Sequence, residues 1–263
     1  MNKRIIIATV LLVAAGLQAA WAQGIRVWQN GRSVYYELGS VDSIAFDDRN
    51  VINGHEWVDL GLPSGTLWAT CNIGANAPEK YGSYFAWGET STKRDYSSFY
   101  YKYWQIGYYK GYTKYCRRSD QGSEGYHDTL TELEPEDDAA TVRWGELWQM
   151  PSLEQMVELL DKDYTTVIGT TLNGYNGSMI TSNINGRSLF LPATGSRQGE
   201  DSEYTSEVCL YWSRSLAPSS SDASYLCIDE SFGPWDDDWF WDYGDDFFFI
   251  DRSDGLTVRP VRK

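Results

Sequence analysis

Ser152-Leu153-Glu154-Gln155-Met156-Val157-Glu158-Leu159-Leu160-Asp161 carries the clearest secondary-structure signal in this chain. Ser152 and Gln155 stand at capping-box spacing, in which the two side chains satisfy backbone N–H groups that a helix start leaves without partners. Leu153, Met156, Val157 and Leu160 recur at helical spacing, so residues 152–161 are predicted to form an amphipathic helix laid on a core. Working back, Pro135 to Trp144 reads as a second helix. Glu136, Asp137 and Asp138 favour the positive end of its dipole, and Gly145 marks its stop. Beyond Asp161 the pattern holds short strands: Ser178–Thr181, Ser188–Leu191, Cys209–Trp212, Tyr225–Asp229, Phe247–Asp251 and Leu256–Val261. Before Pro135, His55 to Ala69 reads as two strands around a Pro63-Ser64-Gly65 turn. Strands on both sides of two segregated helices predict an α+β domain.

The N-terminus adds two expectations. Lys3-Arg4, the apolar run Ile5–Leu17 and the small-residue site Ala20-Trp21-Ala22 have the three parts of a cleavable signal peptide over 1–22, which predicts an exported chain found in the periplasm, at the outer surface or in the medium. That run is shorter than the roughly 20 residues a transmembrane helix needs, no later stretch is apolar enough, and Gln23 rather than a lipid-bearing cysteine follows the site. Ile25–Trp28 and Ser33–Tyr36 flank Asn30-Gly31, a strong hairpin signal, and Ser43–Phe46 offers a third strand. The expected organisation is a signal at 1–22, a small β element and linker at 23–52, and the main domain at 53–263.

Charge removes one class of partner. Cleavage of Lys3 and Arg4 takes the formal charge from −15 to −17. Nucleic-acid binding needs clustered Lys and Arg to displace counterions, whereas the charge runs here, Glu132–Asp138 and Asp236–Asp246, are acidic. The four cysteines, Cys71, Cys116, Cys209 and Cys227, lack metal-ligand spacing, and export permits but does not require pairing. Cys209 and Cys227 flank two strands expected to be neighbours, which favours a disulfide between them; buried thiols are the competing reading.

A series of ordered blocks resembles one family. Asp59 to Gly74 (DLGLPSGTLWATCNIG), Tyr84 to Glu89 (YFAWGE), Asp138-Ala139-Ala140 with Trp144-Gly145, Met150-Pro151-Ser152, Leu191 to Gly195 (LPATG), Tyr211-Trp212-Ser213 and Gly255 to Val261 (GLTVRPV) look like the Fibrobacter succinogenes major paralogous domain of secreted bacterial proteins. The resemblance spans about 53–263. It implies a C-type-lectin-like fold, with two helices on a small twisted antiparallel sheet and long loops, and it implies no common activity.

Two regions have the composition of a recognition surface. Trp235 to Phe249 holds eight aromatic residues and six aspartates, the mixture of ring faces and hydroxyl-binding carboxylates that a sugar platform uses. Its expected ligand-binding residues are Trp235, Asp236, Asp238, Trp239, Trp241, Asp242 and Tyr243; the competing reading sends alternate rings into the core. Tyr81 to Tyr115 is aromatic at 14 of 35 positions, with Tyr103 and Trp104 as candidate contacts beside Tyr100, Tyr101, Tyr108 and Tyr109. Tyr84–Gly88 reads as core. No GxSxG elbow presents a serine, and His55 and His127 are the two histidines, so no catalytic residues are assigned. Calcium is a candidate ion, though Glu134-Pro135-Glu136 reads as a helix start rather than a lectin triplet. The expected function is non-enzymatic adhesion or recognition of an extracellular glycan or protein. An enzyme using paired carboxylates on polysaccharide, and a purely structural surface component, are the alternatives.

Overall fold

The computed structural model describes residues 24–29, 32–37, 50–229 and 249–262, with backbone alone for 24–29, 32 and 36. The chain divides into two compact units, Met1–Asp48 and Arg49–Lys263. In the first, Gly24–Gln29 pairs antiparallel with Arg32–Glu37, with Gln29 opposite Arg32. The Asn30-Gly31 turn, the signal at 1–22 and the third strand expected at Ser43–Phe46 lie outside the described residues.

The second unit corrects the expected fold class. Strands hold 38% of the residues and helices 10%, in several sheets of which one curves into a half barrel, so the fold is mostly β and not a C-type-lectin-like α+β arrangement. Among the described residues there are two α-helices, and both are short: α1 (Ala139–Trp144) and α2 (Leu153–Leu160). Their caps explain why they read so clearly. Asp138 accepts from the N–H groups of Ala140 and Thr141, and Ser152 and Gln155 complete the capping box. Caps announce where a helix begins but carry no information on length. The first helix starts at Ala139 rather than Pro135, and α2 buries Met156 and Leu159 while Val157 faces solvent.

Two five-stranded sheets organise the unit. One runs Phe249–Asp251, Asp222–Asp229, Val208–Leu216, Leu256–Thr257, Tyr84–Phe85; the other runs Val51–Ile52, His55–Asp59, Leu67–Ala69, Val261–Arg262, Trp148–Gln149. The C-terminal segment joins them. Leu256 lies opposite Phe85 and Thr257 runs parallel to Tyr211, while Val261 is inserted between Trp68 and Gln149. Between the two, Arg259 is fully buried and its guanidinium donates to Asn72 Oδ1 at 2.7 Å and Thr70 O at 2.6 Å. Gly255 is required at the start of this crossing, because a Cβ there would come within 2.6 Å of the Tyr96 ring.

The strand Val208–Leu216 is buried on both faces. Leu210 and Trp212 enter one apolar cluster with Phe85, Trp87, Tyr115 and Trp148, while Cys209 and Tyr211 enter a second with Leu60, Trp68, Met156, Leu159 and Leu191. Two indoles of the first cluster reach backbone carbonyls, Trp212 Nε1 to Phe85 O at 2.7 Å and Trp87 Nε1 to Ser213 O at 2.9 Å, whereas the buried N–H groups of Trp68 and Trp148 meet no acceptor among the described residues. The same alternation overturns the expected Cys209–Cys227 disulfide. Cys209 lies opposite Ile228 and Cys227 opposite Leu210, so a one-residue offset sends the two thiols to opposite faces and no bond joins them. Cys209 packs in the second cluster, with Sγ 3.3 Å from Leu191 O, and Cys227 lies against the first.

A three-stranded sheet, Thr165–Leu172, Tyr175–Ser182 and Ser188–Pro192, completes the scaffold with two short pairs, Trp104–Gln105 with Gly111–Tyr112 and Ser196–Gln198 with Asp201–Glu203.

Candidate binding cleft

The strand Phe249–Asp251 forms an edge of the first sheet, with Asp251 directly opposite Asp222. Alternation along an extended chain sends consecutive side chains to opposite sides. Asp251 therefore faces a surface cleft, and Arg252 turns inward. The guanidinium of Arg252 is fully buried, and among the described residues no carboxylate pairs with it. It donates to the carbonyls of Tyr115 (2.9 Å), Ser220 (2.8 Å) and Lys114 (3.1 Å) and to Tyr101 Oη (3.0 Å). Rings of Trp87, Tyr101, Tyr103, Tyr112 and Tyr115 surround it, with Tyr112 nearest at 4.6 Å from centroid to Cζ. One side chain thus ties segment 114–115 and the loop at Ser220 to the strand end behind the cleft.

The cleft encloses about 660 Å³. Pro218, Phe249 and Ile250 supply apolar wall, and Gln198, Ser219, Asp222, Asp251 and Asp254 supply polar groups; among the described residues no basic side chain lines it. Local turns fix the carboxylates. Asp251 Oδ1 accepts from Ser253 N and Oγ, both at 2.8 Å, Asp222 accepts from Ser221 Oγ at 2.8 Å, and Asp254 accepts from Gln198 Nε2 at 3.1 Å. Like charges directly opposite across a ladder are unfavourable, and Asp222 and Asp251 have that placement. Burial, then the neighbouring charges of Asp251 and Asp222, push the Asp254 carboxyl up to about 7.

That shift predicts a pH dependence of stability. The folded chain holds a proton on Asp254 that the unfolded chain releases near the ordinary carboxylate value of about 4. Stability supplied by this proton is complete below about pH 4 and is lost as pH rises towards about 7. Thermal melts from pH 4.5 to 8 should show a falling Tm, and Asp254→Asn should flatten the fall. A variant whose Tm follows the parent's slope would exclude Asp254 as its source.

Sequence-predicted site residues divide into three groups. Trp235, Asp236, Asp238, Trp239, Trp241, Asp242 and Tyr243 lie outside the described residues; Phe249, the last residue of that aromatic and acidic stretch, is a wall of the cleft. Tyr103 is not contact surface as expected: it is buried, its ring meets Tyr101 and Tyr115 edge-on, and its hydroxyl oxygen lies 3.4 Å from Gly88 O, so it belongs to the core. Trp104 is half-buried against Tyr112, at 4.9 Å between centroids. Tyr101 is also core. The rings that do reach solvent are Phe99, Tyr100, Tyr108 and Tyr109, with Tyr108 93% exposed. Gln198, Asp222, Asp251 and Asp254 were not singled out from sequence; Asp251-Arg252-Ser253-Asp254 signals an Asx-type turn, which does not distinguish a binding wall from a strand end.

Glu134, Glu136 and Asp137 bring acidic oxygens within 4.8 Å of one another, and the Lys114 ammonium pairs with all three, 2.6 Å from Asp137. That ammonium stands where a cation would. Asp137 is buried and also accepts from Lys102 Nζ at 2.8 Å and Tyr115 Oη at 2.7 Å. Burial alone would raise its carboxyl, but hydrogen bonds from Lys102, Lys114, Tyr103 and Tyr115 outweigh it and hold the group well below the usual carboxylate range.

No family model matches the chain, and no similar curated protein or solved structure was found. The motif blocks that carry the family resemblance fall largely in buried structure: Phe85–Trp87, Ala139–Ala140, Leu191, Tyr211–Ser213 and Leu256–Val258 are all core. Among the described residues no helix is long and apolar enough to cross a membrane.

Proposed function

We propose that this is an exported recognition protein that binds an extracellular glycan in the Asp222–Asp251–Asp254 cleft. The observation that carries the reading is a concave site lined both by carboxylate and amide groups and by the apolar side chains of Phe249, Ile250 and Pro218. Saccharides are bound by this division of labour, with acceptors for vicinal hydroxyls beside an apolar wall for the ring's C–H face. A carboxyl protonated near neutrality adds a donor to a set otherwise made of acceptors.

An oligosaccharide array probed with the purified chain, with calcium and with chelator, tests this. Binding is expected, and Phe249→Ala and Asp251→Asn should each weaken it about tenfold or more, the loss that about 1.4 kcal/mol represents. Undiminished binding by both variants would place the site elsewhere, and binding lost only with chelator would add a metal to it.

One observation favours a second reading, polysaccharide hydrolysis. Burial and the neighbouring Asp251 charge push the Asp254 carboxyl up to about 7, and an acid and a base set apart by environment are what glycoside cleavage uses. Release of reducing sugar that Asp254→Asn and Asp251→Asn both abolish would replace recognition by catalysis.

A further inference from the structure

Thr165-Thr166-Val167-Ile168-Gly169-Thr170-Thr171-Leu172 is an edge strand of eight residues with no charge and no proline, in a chain whose net charge is −15. Soluble proteins ordinarily blunt such edges with lysine, proline or a bulge. Here the antiparallel register to Tyr175–Ser182 runs unbroken from Thr165–Ser182 to Leu172–Tyr175. Asn173 and Gly174 close the hairpin, both at positive φ as a type I′ turn requires.

A two-residue connection closes on a hydrogen-bonded pair, so Leu172, Thr170, Ile168 and Thr166 bond inward to Tyr175–Ser182. The odd residues point their N–H and C=O groups the other way, and Thr165 N accordingly donates to Asp161 O rather than to the hairpin partner. That leaves the backbone groups of Val167, Gly169 and Thr171 directed outward, and no strand among the described residues pairs on that side.

We propose that this edge pairs antiparallel with the same strand of a second copy, about a two-fold axis through Gly169. The outward groups are symmetric about that residue: Val167 faces Thr171 of the other copy, Gly169 faces Gly169, and Thr171 faces Val167, which closes an isologous contact. On the solvent face Ile168, 60% exposed, comes opposite Thr170 of the other copy and diagonal to its Ile168. A second copy is the occupant this edge fits, because its outward backbone groups are self-complementary about Gly169 and the strand itself carries no charge. Two acidic molecules repel over most of their surface, and this strand lets them meet without setting like charges opposite each other. Pairing through one strand buries less than the roughly 1,200 Å² of a stable interface, so the dimer dissociates on dilution.

Sedimentation equilibrium of the purified chain over a range of concentrations tests the contact, with hydrogen exchange read at single amides. The expected result is a monomer–dimer equilibrium, with slower exchange at Val167, Gly169 and Thr171 as concentration rises. Gly169→Pro removes the central donor without touching the inward ladder, and the pair Ile168→Lys with Thr170→Lys sets four ammonium groups around the axis. Both should sediment as monomers while keeping the parent's circular dichroism; if the proline variant unfolds, the solvent-facing lysine pair decides. A parent that is monomeric throughout, a dimer that survives the lysine pair, or exchange at the three amides independent of concentration would each overturn the proposal.

Discussion

Arg252→Met is expected to destabilise the Arg49–Lys263 unit by about 4 kcal/mol. Methionine matches much of the stem but none of the donors, so the carbonyls of Lys114, Tyr115 and Ser220 lose their partner inside the protein. A buried acceptor left without one costs about 1–3 kcal/mol, and three are orphaned here with partial relaxation. For a unit of this size the loss should lower Tm by about 8–16 °C. Arg252→Lys should fall on the same side, because one ammonium cannot span three carbonyls and stack among the Trp87, Tyr101 and Tyr112 rings as a planar guanidinium does. The variant also tests how the cleft is held: saccharide binding should fall with it even where the protein stays folded, since Ser219 and Asp251 sit on the two segments that Arg252 joins. A methionine variant that melts within a degree or two of the parent would show that the guanidinium is not the tie.

Asp137→Asn is expected to cost about 3 kcal/mol, the lower part of the range for breaking a buried charge pair, because Lys102 is half exposed and keeps water as an alternative partner. The substitution leaves Lys114 with Glu134 and Glu136 and leaves the Tyr115 hydroxyl with a weaker acceptor. The pH dependence identifies the charge. The Asp137 carboxyl is held below its ordinary value in the folded chain, so the unfolded chain takes up its proton first. Its contribution is complete above about pH 4 and is lost as pH falls below that. Melts of the parent below pH 4 should show this loss, and the asparagine variant should show less of it; parallel curves would remove Asp137 as the cause. This acid-side loss is opposite in sign to the neutral-side loss from Asp254, so the two are separable in one titration of Tm.

Local signals were legible wherever a few neighbouring residues settle the matter. Ser152 and Gln155 form the capping box their spacing announces, and Gly145 ends α1. Strands at Ser188–Pro192, Val208–Leu216 and Asp222–Asp229 lie where the short apolar runs put them. The strand Thr165–Leu172 was missed for a physical reason: it is exposed along most of its length and shows no alternation of apolar and polar residues. The same reason makes it a candidate contact. Leu256–Val261 reads as one strand in sequence but divides between two sheets, since Pro260 lacks the N–H a ladder needs and Arg259 turns into the interior.

The candidate site was legible only at one edge. Phe249 belongs to the aromatic and acidic stretch that composition marks, but its partners Gln198, Asp222 and Asp254 come from other parts of the chain. A sequence shows how many carboxylates there are and not which share a cleft. Tyr103 shows the converse: it has the composition of a recognition loop, and the fold spends it on enclosing Arg252.

By itself the sequence determined the helix caps, the strand pair at Gly24–Glu37, most strand positions and the net negative charge, because each depends on spacing within one turn or on summed charge. The tertiary structure decided the balance of strand over helix, the opposite facing of Cys209 and Cys227, and the burial of Arg252. It also decided the meeting of Asp222, Asp251 and Asp254. These follow from which strands lie side by side and in what register, and register is set by packing between segments as distant as Tyr84 and Thr257.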